Sequence, residues 1–157
     1  MSEVVGGLND AGPAHVWPIR VYFEDTDAGG VVYHGNYLKF AERARTELMR
    51  AGGFDHSGLA KEHGVLIVVR DCTMEFIAPA RLDDALEVRS RIITMGGASL
   101  TIRQEVFRPM PKLAMPDAGG DKLLARLDLR LACIDREFRP ARLPPALKHA
   151  LSHTKAI

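Results

Sequence analysis

Residues 24–37 read EDTDAGGVVYHGNY, from Glu24 to Tyr37. A short strand-like run, Ile19 to Phe23, leads into this stretch, and a helical pattern leaves it. Within it lie two carboxylates, Asp25 and Asp27, two adjacent glycines, Gly29 and Gly30, and a Tyr33-His34 pair where the helix begins. The glycines permit a tight backbone path from strand to helix. Free N–H groups at a helix start can hold a developing oxyanion, so a carboxylate facing them across such a loop suits acyl transfer.

Downstream, Tyr37, Phe40, Ala41, Ala44, Leu48 and Ala51 recur at the spacing of one helical face. The pattern predicts a helix over Asn36 to Ala51, with Asn36 as N-cap and Gly52-Gly53 as the stop. Arg43 and Glu47 are spaced for an i,i+4 pair on its outer face. A short second helix is expected over Ser57 to Glu62. Four alternating runs follow: Leu66, Val68, Cys72, Met74 and Phe76; Leu86 to Ile92; Leu100 to Val106; and Leu123 to Cys133. Period-two alternation predicts antiparallel strands with one buried face. Gly96-Gly97 marks a hairpin turn, Met110 to Gly120 a loop, and Pro144 onward a short helix. With Trp17 to Glu24 as the first strand, the fold class is α+β, a curled five-stranded antiparallel sheet wrapped around one long helix. Its open edges predict dimerisation.

The 157 residues suit one domain with a sizeable core. The expected organisation is a disordered leader at 1–15, a domain at 16–145 and a tail or short helix at 146–157. A net charge of +1 gives no global field for nucleic acid or an anionic membrane. No run is long and apolar enough for a membrane span, and the first residues lack the apolar core of a signal peptide. Cys72 and Cys133 sit in strand-like runs, are expected to be buried, reduced thiols, and suit a cytoplasmic location.

The order of strand, glycine loop and helix, with RVYFEDTDAGGVVYHGNYLKFAERARTELMR (Arg20 to Arg50) and FIAPARLDDALEV (Phe76 to Val88), resembles hotdog-fold acyl-CoA thioesterases. The likeness runs from about Trp17 to Pro144. It points to the 4-hydroxybenzoyl-CoA thioesterase family and its Tol-Pal-associated YbgC-type branch. The resemblance implies hydrolysis of an acyl-CoA thioester to a free acid and coenzyme A, with no metal or organic cofactor, in envelope or phospholipid metabolism. It implies Asp27 as nucleophile or general base, and the His34 backbone N–H as the donor to the oxyanion. Tyr33 becomes a wall of the acyl pocket, and Gly29, Gly30 and Asn36 become substrate-binding positions. An acyl carrier protein is a second possible partner, and a homodimer or homotetramer the implied assembly.

Other readings of the same residues stand beside this one. Asp25 and Asp27 both suit Asx turns within the loop. DTDAGG opens like a calcium loop, but Gly29 stands where that loop needs Asp or Asn, and Asn36 where it needs Glu. Asp27 and His34 lack a third metal ligand at recognisable spacing, and Ser99 lacks a nucleophile-elbow context. His149 and His153, four apart, read as a solvated terminal segment. Arg70, Arg81, Arg89, Arg91, Arg103 and Arg126 are candidates for the coenzyme A phosphates. Gly96, Gly97 and Ala98 replace the basic residues that aromatic-acyl relatives carry before Ser99. The alternative function is a non-catalytic module that binds an acyl chain or acyl carrier protein; a hotdog dehydratase would need a His ahead of a Pro-rich loop, which is not found here.

Overall fold

The computed structural model describes residues 3–4, 14–111 and 120–153. The helix that follows the glycine loop, α1 (Asn36–Ala51), buries Tyr37, Phe40, Ala41, Ala44, Leu48 and Met49. Met49 rather than the exposed Ala51 completes the predicted stripe. Asn36 is not the N-cap, because its side chain turns into the core and Gly35 occupies the capping position without a side-chain bond. The C-terminal stop falls where expected. Gly53 takes φ +88°, Gly53 N–H donates to the Arg50 carbonyl, and Phe54 N–H donates to the Met49 carbonyl, the paired bonds of a Schellman motif. Glu47 pairs with Arg50 rather than with Arg43.

The expected second helix is one turn, α2 (His56–Gly58), which runs on into a π turn at Leu59–His63. Asp55 caps it by accepting from Gly58 N–H at 2.6 Å. The strands are β1 (Glu3–Val4), β2 (His15–Arg20), β3 (Leu66–Phe76), β4 (Ala85–Met95), β5 (Ser99–Arg108) and β6 (Lys122–Ile134). They form one antiparallel sheet in the order β1-β4-β5-β6-β3, with β2 also on β4. The four strands from β3 to β6 are those the alternation predicts. The first strand, expected over Trp17 to Glu24, instead spans His15–Arg20, because Asp25 draws Phe23–Asp25 into a 3-10 turn, and the two-residue β1 adds to β4 beyond β2. Gly96-Gly97 does turn β4 into β5, with Gly96 N–H donating to the Ser99 carbonyl at 2.7 Å. The rest of the expected leader (1–2, 5–13) and most of the Met110–Gly120 loop (112–119) lie outside the described residues. The last helix, α3 (Pro145–Ser152), buries Leu147 and Leu151, and His149 and His153 stack on its exposed side.

The inner face of the sheet carries Ile19, Leu86, Val88, Ile102, Val106, Leu127, Leu129 and Leu131 against α1. Of three bulges, at Arg70, Ile93 and Leu124, two displace the alternation of β3 and β6. At Arg70 the register of β3 against β6 shifts, so Ile67 and Val69 join Cys72, Met74 and Phe76 on the inner face, opposite Cys133, Leu131, Leu129, Leu127 and Ala125. Leu66 and Val68 are thereby turned to the other face. At Leu124 a second bulge buries both Leu124 and Ala125. Cys133 is buried as expected, but Cys72 is exposed, because β3 is an edge strand and α1 lies chiefly across β2 and β4.

One polar network crosses this core. Gln104, fully buried on β5, donates to the Ala41 carbonyl of α1 and to Ser90 Oγ of β4, both at 2.9 Å. Its amide oxygen accepts from Arg45 Nη1 at 2.8 Å. Helix and sheet are thus fixed in rotation and height by bonds that no apolar contact would specify.

His15, the ladder partner of Ser90, is 2% exposed, and neither ring nitrogen has a hydrogen-bond partner among the described residues. Burial holds its imidazole below the ordinary value, against a weaker upward pull from Glu47. The folded-state value therefore lies under the unfolded value of about 6.5, and stability is lost as pH falls below that value and through the folded one. The His15→Leu variant should lose less melting temperature than the parent between about pH 7.5 and about pH 5. At the higher pH it should match or exceed the parent, since two unsatisfied nitrogens are removed. Thermal melts followed by circular dichroism at the two pH values check both signs.

Candidate active site

The loop between β2 and α1 is organised by Asp25. Its Oδ2 accepts from Tyr22 N–H at 2.8 Å, closing a 3-10 turn at Phe23–Asp25. Its carbonyl accepts from Tyr33 N–H at 2.9 Å and from Asn36 Nδ2 at 2.8 Å. Asp25 and Asn36 are both buried. Asn36, expected among the substrate-binding residues, therefore spends its amide on the loop and fixes the start of α1.

Between these anchors the chain folds back on itself. Thr26 and Val32 form an antiparallel bridge, Asp27 N–H donates to the Val31 carbonyl at 2.9 Å, and Gly30 N–H donates to the Asp27 carbonyl at 3.0 Å. Gly30 sits at φ +79°, which a side chain would strain. The segment before β4 holds the loop from outside. Val31 bridges Arg81, Val32 N–H donates to the Ala80 carbonyl at 2.9 Å, and Ala80 N–H donates to the Tyr37 hydroxyl at 3.2 Å. Burial pushes the Tyr37 phenol above its usual range.

Asp27 stands exposed at the head of this loop. Its Oδ1 accepts from Gly29 N–H at 2.8 Å, an Asx turn, while no protein donor meets Oδ2 among the described residues. A Cβ at Gly29 would lie 3.1 Å from Asp27 Oδ1, so glycine lets the carboxylate lie close to the backbone. His34 and Tyr33 are exposed neighbours with ring centroids 4.3 Å apart. Gly35 makes room for the Tyr33 ring, since a Cβ there would come within 2.9 Å of it. Among the described residues, no acceptor meets the His34 N–H, two residues before α1. A carboxylate with one free oxygen and a free N–H at a helix start are thus held on one rigid loop.

Phe76, 52% exposed at the end of β3, adds a wall that the sequence reading did not single out. Its ring lies edge-on to His34 at 6.3 Å and to Tyr37 at 5.7 Å. The dense block that opens with Phe76 was the available signal. It supplies the aromatic wall, the Ala80 and Arg81 contacts and the turn into β4. Most of the arginine candidates lie elsewhere, on the outer face of the sheet and in ion pairs: Arg89 with Glu87 and Asp121, Arg91 with Glu105, Arg103 with Asp128, and Arg126 with Glu105 and Glu75. Arg70 and Arg81 are exposed and make no ion pair among the described residues.

A curled antiparallel sheet on a central helix, entered through a glycine loop, is the hotdog fold of the solved thioesterase structures that this chain resembles. A family model described as Thioesterase superfamily matches residues 29–114, more than half of the chain. The chain belongs to the thioesterase superfamily. It is 42% identical over 132 residues to the acyl-CoA thioester hydrolase YbgC of Escherichia coli O6:H1, covering 83% of this chain and 90% of that protein. It is 36% identical over 140 residues to the acyl-CoA thioesterase YbgC of Haemophilus influenzae, covering 88% and 95%. The crystal structure of a probable thioesterase from Bartonella henselae superposes with a TM-score of 0.73 at 34% identity, covering 83% of this chain and 99% of that one.

The two aspartates should separate in a stability measurement. Asp25→Asn weakens the acceptor that holds Tyr22 N–H and should lower unfolding free energy by about 1 kcal/mol, the typical value of a cap. Asp27→Asn keeps an acceptor for Gly29 N–H and should stay within about 0.5 kcal/mol of the parent. Urea unfolding of both variants checks the order; equal losses would show that Asp25 is not the anchor.

Proposed function

We propose that this chain is an acyl-CoA thioesterase in which Asp27 and the His34 main chain carry the reaction. The Asp27 carboxylate either attacks the thioester carbonyl or takes a proton from the attacking water. The His34 N–H, with the positive end of α1 behind it, stabilises the oxyanion of the tetrahedral species. Collapse breaks the carbon–sulfur bond. Water supplies the hydroxyl of the acid, and its other proton goes to the leaving thiolate. No metal or organic cofactor enters this scheme. Tyr33, Phe76 and Tyr37 form the aromatic side on which the acyl group rests, while Gly29 and Gly30 shape the loop that admits it.

The observation that carries the reading is the free Oδ2 of Asp27 on the same rigid loop as the unpaired His34 N–H. The Asx turn, which alone would make Asp27 structural, uses only one of its two oxygens. Arg81, bridged to Val31 at the rim of the loop, is the candidate contact for a coenzyme A phosphate. Relatives named YbgC support an acyl-CoA substrate. A cytoplasmic role in envelope lipid metabolism, with coenzyme A or an acyl carrier protein delivering the acyl group, completes the proposal.

Asp27→Asn should lower kcat on the order of 10²-fold or more in a thiol-release assay, with the fold retained. His34→Ala keeps the main-chain donor and should retain measurable turnover. His34→Pro deletes the N–H and should abolish turnover while remaining compatible with the approach to a helix. An alanine variant as inactive as Asp27→Asn would move the role from the backbone to the imidazole.

Assembly is the second part of the proposal. Among the described residues no strand lies beside the outer edge of β3, and Val69, Cys72 and Phe76 on its inner face are exposed. A second copy paired along this edge would continue the sheet and cover that strip, giving a homodimer that two copies could extend to a homotetramer. Multi-angle light scattering should give at least a dimer. Val69→Lys should shift it toward monomer, and an active monomeric parent would contradict the assembly.

A further inference from the structure

A cavity of about 190 Å³ lies between the C-terminal half of α1, the start of β3 and α3, and none of its lining belongs to the glycine loop. Its floor is aliphatic, formed by Ile67, Ile102, Leu131 and Leu147 together with Val69, which it shares with the β3 strip that the proposed second copy covers, while Glu42, Arg45, Thr46 and His56 stand at its polar rim. Thr46 Oγ1 and His56 Nε2 are hydrogen-bonded at 3.2 Å.

Arg45 is the unusual member of this lining. It is half-buried and pinned through one nitrogen, Nη1, to the fully buried Gln104, which is itself tied to Ala41 and Ser90. A guanidinium has five N–H donors, so most of its capacity is left over. Arg45 makes no ion pair among the described residues; Glu42 is felt through space without forming one. Burial opposes its charge. A half-buried, immobilised cation beside an aliphatic hollow favours an anion that brings its own apolar tail.

The volume sets the size of that tail. A cavity of about 150 Å³ accepts benzene, so one slightly larger suits a chain of about six carbons. We propose that this cavity binds a short-chain aliphatic carboxylate, with the carboxylate on the Arg45 guanidinium and the chain on the aliphatic floor. Acids of this class are what thioester hydrolysis releases, but the binding involves neither Asp27 nor turnover.

Titrating hexanoate into the full chain, followed by calorimetry and by amide chemical shifts, tests the site. One site per chain is expected, with hexan-1-ol binding at least 10-fold more weakly. Arg45→Gln should weaken hexanoate at least 10-fold. Ile67→Phe, which fills the hollow from the edge strand and leaves Arg45 intact, should do the same and carries the test if the arginine variant fails to fold. Glu42→Gln should tighten hexanoate a few-fold at low salt by removing a like charge, and Asp27→Asn should leave it unchanged. Equal binding of hexan-1-ol, parent-like binding by Ile67→Phe, or loss of binding in Asp27→Asn would overturn the assignment.

Discussion

The main-chain carbonyl of Asp25 accepts from both the Tyr33 N–H and the Asn36 amide, and the site depends on that one acceptor. It joins the 3-10 turn after β2 to the start of α1 across the ten residues of glycine-rich loop between Asp25 and Asn36. Without it the Thr26–Val32 bridge would lose its Tyr33 bond, leaving the bonds of Asp27 N–H to Val31 and Gly30 N–H to Asp27 and the Ala80 and Arg81 contacts to define the path. A single buried acceptor with two donors leaves little freedom for alternatives, because any other path strands two polar groups away from water. Asp27 gains its position from this frame while its Oδ2 has no protein donor among the described residues.

The same division of labour appears on a larger scale. Gln104 fixes α1 on β4 and β5, which places the aromatic N-terminal end of the helix beside Phe76. The helix then lies toward β2 and β4, so the inner face of β3 is left partly open. The open strip and the well-satisfied polar network are consequences of the same placement. A chain that satisfies its buried amide so completely, yet exposes Val69 and Phe76, leaves part of its unfinished apolar surface along the β3 edge.

Much of this was legible in the sequence because the signals were local. Gly53 stops α1 through backbone geometry that neighbouring residues dictate, and the alternation from Leu86 to Cys133 reports a sheet with one dry face. The glycine loop was legible for a related reason, since its hydrogen bonds close within a dozen residues. What was not legible depended on partners far away in the chain. The bulge at Arg70 exists only against β6, and it moved Ile67 and Val69 to the inner face and Leu66 and Val68 off it. Cys72 was expected to be buried because alternation assigns a face but not whether anything covers it. Asn36 has the right chemistry for an N-cap, and only the buried Asp25 carbonyl, eleven residues away, draws its amide inward.

The distribution of charge follows the same logic of local satisfaction. Opposite charges on β3, β4, β5 and β6 face one another on the outer side, as between Arg103 and Asp128 or Arg130 and Asp71. Each such exposed pair contributes little stability, but together they remove most of the field that 21 basic residues could otherwise project. A net charge near zero therefore does not mean that anions are ignored. It means that recognition falls to the few cations that the ladder leaves over, and these act over distances shorter than the screening length of about 8 Å at physiological salt. Arg81 at the glycine loop and Arg45 at the aliphatic hollow are of this kind. In the roles proposed for them, each would act on an anion only when a binding surface, the aromatic side of the loop or the aliphatic floor, had already brought that anion close.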